Sequence, residues 1–407
     1  MYRLAWRHYV LEVGKLRQWL SGDKMNFNLS EEQQLIQKTA RDFANDHLRP
    51  GVIDRDENAQ FPAEQVKMMG ELGFMGMMIP EEYGGAGIDS LSYCIALEEI
   101  AKADASATVI MSVNNSLVCQ LLYLYGSEKQ KQKYLTKLAS GEWLGAFSLS
   151  EPQSGSDASN MRTFAKRDGN QYIINGTKNW VTNGISSDIV LLMCLTEKDV
   201  GSKGISAFIV EKGFDGLSIG KKENKLGIRG SDTCELYLED CKVPAENIIG
   251  KEGQGFKIAL GTLDGGRIGI ATQALGIAAE SLNRSIQYAN ERKQFGKTIG
   301  EFGAIQSKLA QMAIHVDAAR LLIHRAAQLK DEGKPFGKEA AMAKNFASKV
   351  AMDASTQCVQ IFGGYGYIRG TGVERLMRDA KITQIYEGTS EIQELIIARS
   401  LLRRERK

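Results

Sequence analysis

The chain has 407 residues, 43% of them hydrophobic and 25% charged, which is enough for two or three domains around a sizeable core. Its 51 basic residues stand against 49 acidic ones, so there is no steady field to attract a nucleic acid or an anionic membrane surface. No metal is expected either, since His8, His47, His315 and His324 form no ligand cluster, and no apolar run approaches the roughly 20 residues of a membrane span.

Residues 1–24 interleave Arg3, Arg7, Lys15 and Arg17 with Leu4, Trp6, Val10, Leu11, Leu16 and Trp19, a basic amphipathic pattern that overlaps with a mitochondrial transit peptide. Glu12, Asp23 and the scarcity of serine point instead to an extension ahead of a start at Met25. A cytoplasmic, bacterial location follows from the extension, and a mitochondrial matrix location from the transit peptide. Residues 25–145 read as a helical domain. Ser30 and Gln33 have capping-box spacing, Leu35, Thr39 and Phe43 recur four apart, and the Gly/Pro break from Ile79 to Gly87 precedes a second helical stretch through Leu97 and Ile100.

From 146 to 252 the period changes to two. Tyr172-Ile173-Ile174 ahead of Asn175-Gly176 predicts a hairpin turn, and further strands are expected at 188–192, 205–210 and 234–238. From 253 to 407 the helical period returns, with one stripe at Ile305, Leu309, Met312, Val316, Ala319 and Ile323. A second stripe holds Leu275, Leu282 and Ile286, and a third Phe346, Val350, Ala354 and Cys358. The predicted fold is multi-domain α and β: an N-terminal all-α domain, a middle β-barrel-like or sandwich domain, and a C-terminal four-helix bundle. Cys94, Cys119, Cys194, Cys234, Cys241 and Cys358 show no paired spacing and are expected to be free thiols.

Chemistry concentrates near the end of the chain, in Ile385-Tyr386-Glu387-Gly388-Thr389-Ser390-Glu391-Ile392-Gln393. Ser390 and Gln393 again have capping-box spacing, so Glu387 is expected on a turn just before a helix, a good place for a fixed, partly desolvated base. A surface glutamate in a loop is the plainer possibility.

This motif, with Phe147 to Pro152 and Gly155 to Asp157, Asn179 to Gly184, Lys225 to Gly230, Glu291 to Gly296 and Gln360 to Gly364, resembles the acyl-CoA dehydrogenase family, nearest its short-chain, butyryl-CoA branch. The resemblance implies desaturation of an acyl-CoA between its α and β carbons, with Glu387 as catalytic base and FAD as hydride acceptor. It implies FAD contacts at Phe147, Leu149, Ser150, Ser156, Trp180, Val181, Thr182, Thr389, Ser390 and Glu391. Arg292, Phe295, Gln360, Ile361, Phe362, Gly363 and Gly364 would bind the FAD of a neighbouring subunit in a homotetramer. Substrate would meet Ser156, Asp264, Gly265, Gly266, Arg267 and Gly388, and the thioester carbonyl would be held by the Glu387 amide and a flavin ribityl hydroxyl.

Electrons would pass to an electron-transferring flavoprotein. Other branches carry the base where this chain has Gly266, which leaves Glu387 alone. Gly303 stands where the family has a glutamine that touches the cofactor, and Glu394 stands where it has an arginine. A glutaryl-CoA-type dehydrogenase and a catalytically silent assembly factor on the same fold are the competing readings.

Overall fold

The computed structural model describes residues 28–402, so the basic stretch 1–24 lies outside the described residues. Helix α1 (Glu31–Phe43) starts where the sequence predicts: Ser30 Oγ accepts from the Gln33 N–H and Gln33 reaches back to the Ser30 N–H, closing a capping box. Its buried face meets the predicted one only in part: Phe43 is buried, with Ala40 beside it, whereas Leu35 and Thr39 are exposed, because the face pressed on α2 (Ser90–Ala103) is rotated from the predicted stripe.

The next helix, α3 (Ala105–Ser112), continues through a π-helical segment, Val113–Cys119, to Tyr125. This run is long and apolar enough to cross a membrane, contrary to the sequence expectation. It is a core helix, most of it buried inside the protein. Its two adjacent asparagines show why. Asn115 accepts from the Met77 N–H at 2.8 Å and donates to Phe74 O at 2.8 Å, while Asn114 donates to Met75 O and Leu138 O, so both satisfy buried backbone of neighbouring loops.

The middle part is a sheet of β1 (Gly145–Ser148), β2 (Phe164–Asp168), β3 (Gln171–Thr182), β4 (Ile189–Leu195), β5 (Ile205–Glu211), β6 (Leu217–Lys222), β7 (Thr233–Pro244) and β8 (Ile248–Ile249). The order is β6-β7-β3-β2-β4-β5-β8, with β1 parallel to β4, and the two halves join through one residue pair, Phe164 and Leu195. Leu192, Cys194, Phe208 and Val210 of one half pack on Tyr172, Ile174, Leu238 and Val243 of the other, as in a sandwich. The alternate residues, Ile189, Leu191, Met193, Ile205, Ala207 and Ile209, join the helical core, so β4 and β5 are buried on both faces.

The predicted hairpin turn at Asn175-Gly176 is absent. β3 runs straight through it, and the turn lies just ahead of β3, at 169–170 between β2 and β3, where Gly169 takes φ 58°. Asn175-Gly176 is a bulge against β7, fixed by a reciprocal pair of hydrogen bonds between Asn175 and Asp240. A Cβ on Gly176 would sit 2.7 Å from Thr163 Cα, so glycine is required there for close approach rather than for a turn.

The C-terminal part holds α4 (Gly255–Glu291), α5 (Gly303–Asp331), α6 (Gly337–Phe362), α7 (Val373–Ile382) and α8 (Ser390–Leu402). Helices α4, α5 and α6 pack on one another, and the α7–α8 pair completes the bundle against α6. The α5 stripe is buried at Met312, Val316, Ala319 and Ile323, and the α6 stripe at Val350, Ala354 and Cys358. The α4 stripe is broader than predicted: Ile286 is exposed, while Gly266 to Ser281 is buried throughout, because α4 also packs against α2 of the N-terminal part. All six cysteines are free and buried.

Candidate active site

The seven residues between α7 and α8 reverse the chain, and the turn is built on two left-handed residues, Glu387 at φ 53° and Gly388 at φ 93°. Glycine adopts this region freely, but a glutamate there costs about 1–2 kcal/mol and needs outside support. That support is visible. The Ser390 N–H donates to Gln384 O at 3.0 Å, Gln393 Nε2 donates to the Glu387 and Gly388 carbonyls at 3.2 and 2.8 Å, and Lys344 Nζ donates to Gly388 O at 2.6 Å. The capping box predicted for Ser390 and Gln393 does not form. Thr389 Oγ1 accepts from the Ile392 N–H as the cap, since Gln393 is drawn back onto the turn carbonyls. On the other flank the Tyr386 hydroxyl donates to Gln273, whose amide donates to Ala105 O at 2.7 Å, tying the turn to α4 and α3.

Glu387 Oε2 is buried and has no hydrogen-bond partner. Burial pushes its pKa up to about 7, against the opposing pull of Lys344 and then Arg267. The Lys344 ammonium is pushed down to about 8 by the same dryness, with Glu387 working in the opposite direction. Arg267 is buried and pairs with Asp264, whose carboxyl is raised by burial although Arg267 favours its charge. Between these groups lies Gly266. A Cβ there would stand 2.9 Å from Glu387 Cδ, closer still to Oε2, and 2.7 Å from Leu117 Cδ2.

One turn along α4 from Gly266 is Gly269, and a Cβ on it would lie 3.3 Å from the Tyr93 hydroxyl and nearer still to Ser112 Oγ. Tyr93 and Ser116 hydroxyls are 3.2 Å apart, and Ser116 and Leu117 ride on the π-helical segment. Two glycines on α4 therefore let Glu387, Leu117 and the hydroxyls of Ser112 and Tyr93 come up against the helix backbone.

A second cluster sits at the edge of the sheet. The loop after β1 is anchored by Glu151, which accepts from the Arg162 and Thr163 N–H groups at 2.6 and 3.0 Å and pairs with fully buried Lys178 at 2.8 Å. Lys178 also donates to Leu149 O, and the Asn179 N–H donates to Ser150 O, so loop and β3 move as one. Just beyond, the register of β3 against β7 slips between Lys178 and Val181, and Trp180, at φ 60°, is thrown outward with 62% of its surface exposed. Trp180 therefore holds no core position. Val181 faces the core and offers only its backbone to this surface; Phe147, Leu149, Ser150 and Thr182 are half-buried, and Ser156 is exposed. Ser390 Oγ is buried without a partner, while Glu391 is exposed.

The remaining predicted residues are not brought to Glu387. Arg292 ends α4, 26 residues after Gly266, or about 39 Å along the helix at 1.5 Å per residue. Gly363 ends α6, 19 residues after Lys344, or about 28 Å by the same measure. At that far end Arg292 lies over the Tyr365 ring, Phe295 is 94% exposed, Gln360, Gly363 and Gly364 are exposed, and Phe362 stacks on Tyr288. Ile361 is buried in the core. Gly303 faces open space at the start of α5, and Glu394 pairs with Lys349 at 2.9 Å.

Sequence reasoning missed Lys344, Tyr93 and Gln273. A signal existed for the first: Lys344 falls between Ala340 and Ala347 at helical spacing, on a stripe of small buried residues where a lysine is out of place.

Known proteins match the chain over nearly all of its described residues. Residues 30–142 match the acyl-CoA dehydrogenase N-terminal domain, 146–241 the middle domain and 253–402 the C-terminal domain. A short-chain specific acyl-CoA dehydrogenase of Clostridium acetobutylicum is 51% identical over 379 residues, covering 93% of this chain and all of that protein. The butyryl-CoA dehydrogenase structure from Megasphaera elsdenii superposes with a TM-score of 0.92 at 48% identity, over 93% of this chain and all of that one. A chain solved in work on the electron-transferring flavoprotein of Acidaminococcus fermentans, concerned with flavin-based electron bifurcation, gives 0.92 at 51% identity over 93% and 100%. Three domain matches in sequence order and half the residues shared end to end make this chain a member of the acyl-CoA dehydrogenase family.

Proposed function

We propose that this chain desaturates short-chain acyl-CoA thioesters to 2-enoyl-CoA with FAD, with Glu387 as the base, and passes the electrons to an electron-transferring flavoprotein. The observation that carries the reading is the Glu387 carboxylate itself: dry, unpartnered at Oε2, packed against Gly266, and poised to titrate near neutrality. The residues present suit FAD. Trp180 offers an exposed indole beside the anchored loop, Ser390 Oγ is a buried orphan, and a Cβ at Gly155, Gly363 or Gly364 would meet nothing within 4 Å, so backbone there is open to approach. When bound, FAD supplies the hydride acceptor that no side chain provides.

The chain's own part is to orient and to move a proton. Among the described residues no hydrogen bond uses the N–H of Glu387, which leaves that amide to hold a thioester carbonyl and favour the developing enolate. The ionised carboxylate takes the α proton and becomes the neutral acid that its dry surroundings favour. The hydroxyls of Tyr93, Ser112 and Ser116 lie together at Gly269, and on this reading they bound a short acyl chain; a glutaryl group would need a cation there. The surface around Arg292 and Gly363, too far along the helices to serve the same cofactor as Glu387, is read as holding the FAD of a neighbouring subunit in a homotetramer. An exposed Trp180 and an unpaired Glu387 argue against a silent scaffold, which would need neither.

Anaerobic addition of butyryl-CoA to the yellow protein tests the reading. Bleaching of the flavin is expected; an FAD-loaded preparation that stays yellow overturns it.

A further inference from the structure

Lys344 lies mid-helix in α6 with none of its surface exposed, and among the described residues the only hydrogen bond of its ammonium runs to Gly388 O at 2.6 Å. An ammonium without water and with one neutral acceptor is costly unless a negative charge stands near it. The charged groups acting on it are Glu387 from the turn, Arg267 from α4 and Glu391 from α8, while Asp264 pairs with Arg267, and Tyr386 and Tyr93 act on Glu387. Of the carboxylates, Asp264 is taken by Arg267 and Glu391 is exposed, so Glu387 is the one buried and unpaired. The carbonyl that Lys344 holds belongs to Gly388, the second residue of the left-handed pair.

We propose that Lys344 is a positioning residue for Glu387: its ammonium pins the Glu387–Gly388 turn and sets the pH at which the carboxylate becomes available to accept the proton. The inference rests on Glu387 being the base. Gln393, the second donor to Gly388 O, is neutral and can hold the turn only in shape, whereas Lys344 contributes both a hydrogen bond and a charge. Removing the charge takes away an interaction that favours the carboxylate, so Glu387 would hold its proton more tightly and need a higher pH to act.

The test compares FAD-loaded wild type, Lys344→Met and Lys344→Arg. The first reading is the rate of flavin reduction by butyryl-CoA across about pH 5 to 9. The second, independent of activity, is amide hydrogen exchange over residues 384–392. In Lys344→Met the acid limb should move up by about 1–3 pH units, the range for losing an opposite charge close by, and the turn amides should exchange faster. Lys344→Arg should bring the limb back towards wild type. Should Lys344→Met fail to fold, Lys344→Gln takes its place. A methionine or glutamine variant with an unmoved limb and unchanged exchange overturns the proposal, as does an arginine variant whose limb follows methionine. Failure of the parent reading looks different: Glu387→Gln would then reduce its flavin at a near-normal rate, whatever Lys344 does.

Discussion

Lys178 Nζ stands 2.8 Å from Glu151 Oε1 with both side chains out of water, and this pair is what fastens the loop after β1 to the strand that presents Trp180. Burial would raise the Glu151 carboxyl, but Lys178 and the hydrogen bonds to Glu151 outweigh it and hold the group below the usual range. Lys178→Met should therefore destabilise the protein by about 3–5 kcal/mol, since it strands a buried carboxylate, and should weaken FAD retention with it. Denaturant unfolding and flavin content after dialysis check both. A depressed carboxyl contributes stability above its unfolded value of about 4.3, so the wild-type margin should survive to near pH 4 and fall away only below.

Glu387→Gln should slow flavin reduction by at least about 10²–10⁴-fold, the share ascribed to general-base catalysis, while FAD content stays near wild type. It should also stabilise the fold. A buried carboxyl with a raised pKa favours folding at low pH and loses that advantage as the pH rises towards its folded value near 7. The gain over wild type should grow from about pH 4 to 7 and level off near 3 kcal/mol. Thermal melts of the two proteins at several pH values would show it, and a gain independent of pH would sink the assignment of a strained carboxylate.

Trp180→Ala should leave the unfolding free energy within about 0.5 kcal/mol, because the indole is mostly exposed and packs on little. The flavin should respond strongly, with higher fluorescence as its stacking partner is lost. A large fall in stability without a change in flavin emission would return Trp180 to a structural role.

Arg292→Ala should weaken FAD retention and subunit association together if, as proposed, the surface around Arg292, Tyr365 and Gly363 serves a neighbouring subunit. Native mass measurement reads both at once. A fully flavinated monomer would separate the two and exclude the shared site.

Catalytic efficiency should peak at about C4 to C6, since each added methylene offers only about 0.8 kcal/mol of transfer and the hydroxyl-lined end beyond Gly269 must reject longer chains by contact. A series of saturated acyl-CoA substrates measures this. Equal efficiency with a much longer chain would mean that the space continues past Tyr93.

The α–β–α order was legible because it is written locally, as periodicity names helices and strands, and the Glu387 motif could be picked out because it is contiguous. What the sequence hid was set by packing between distant segments. Asn175-Gly176 has the chemistry of a turn, yet Asp240 and Thr163, far away in the chain, claim it for a bulge. Gln393 has the chemistry of a cap, yet the carbonyls of a left-handed turn take its amide. The membrane-like length of 105–125 misleads for the same reason, as its asparagines answer to loops that periodicity does not see.

Gly266 and Glu387 approach the same point from opposite walls, one on a helix laid down early in the C-terminal part and one on its last turn. A carboxylate growing from residue 266 would occupy the volume that the Glu387 carboxylate already fills, so the single change Gly266→Glu should be crowded out, whereas Glu387→Gly with Gly266→Glu should recover part of the rate. What the architecture conserves, on this view, is a location for a proton acceptor relative to its surroundings. On the proposed reading the chain position that supplies it would be exchangeable, and the glycine at 266 is what lets the Glu387 carboxylate reach that point.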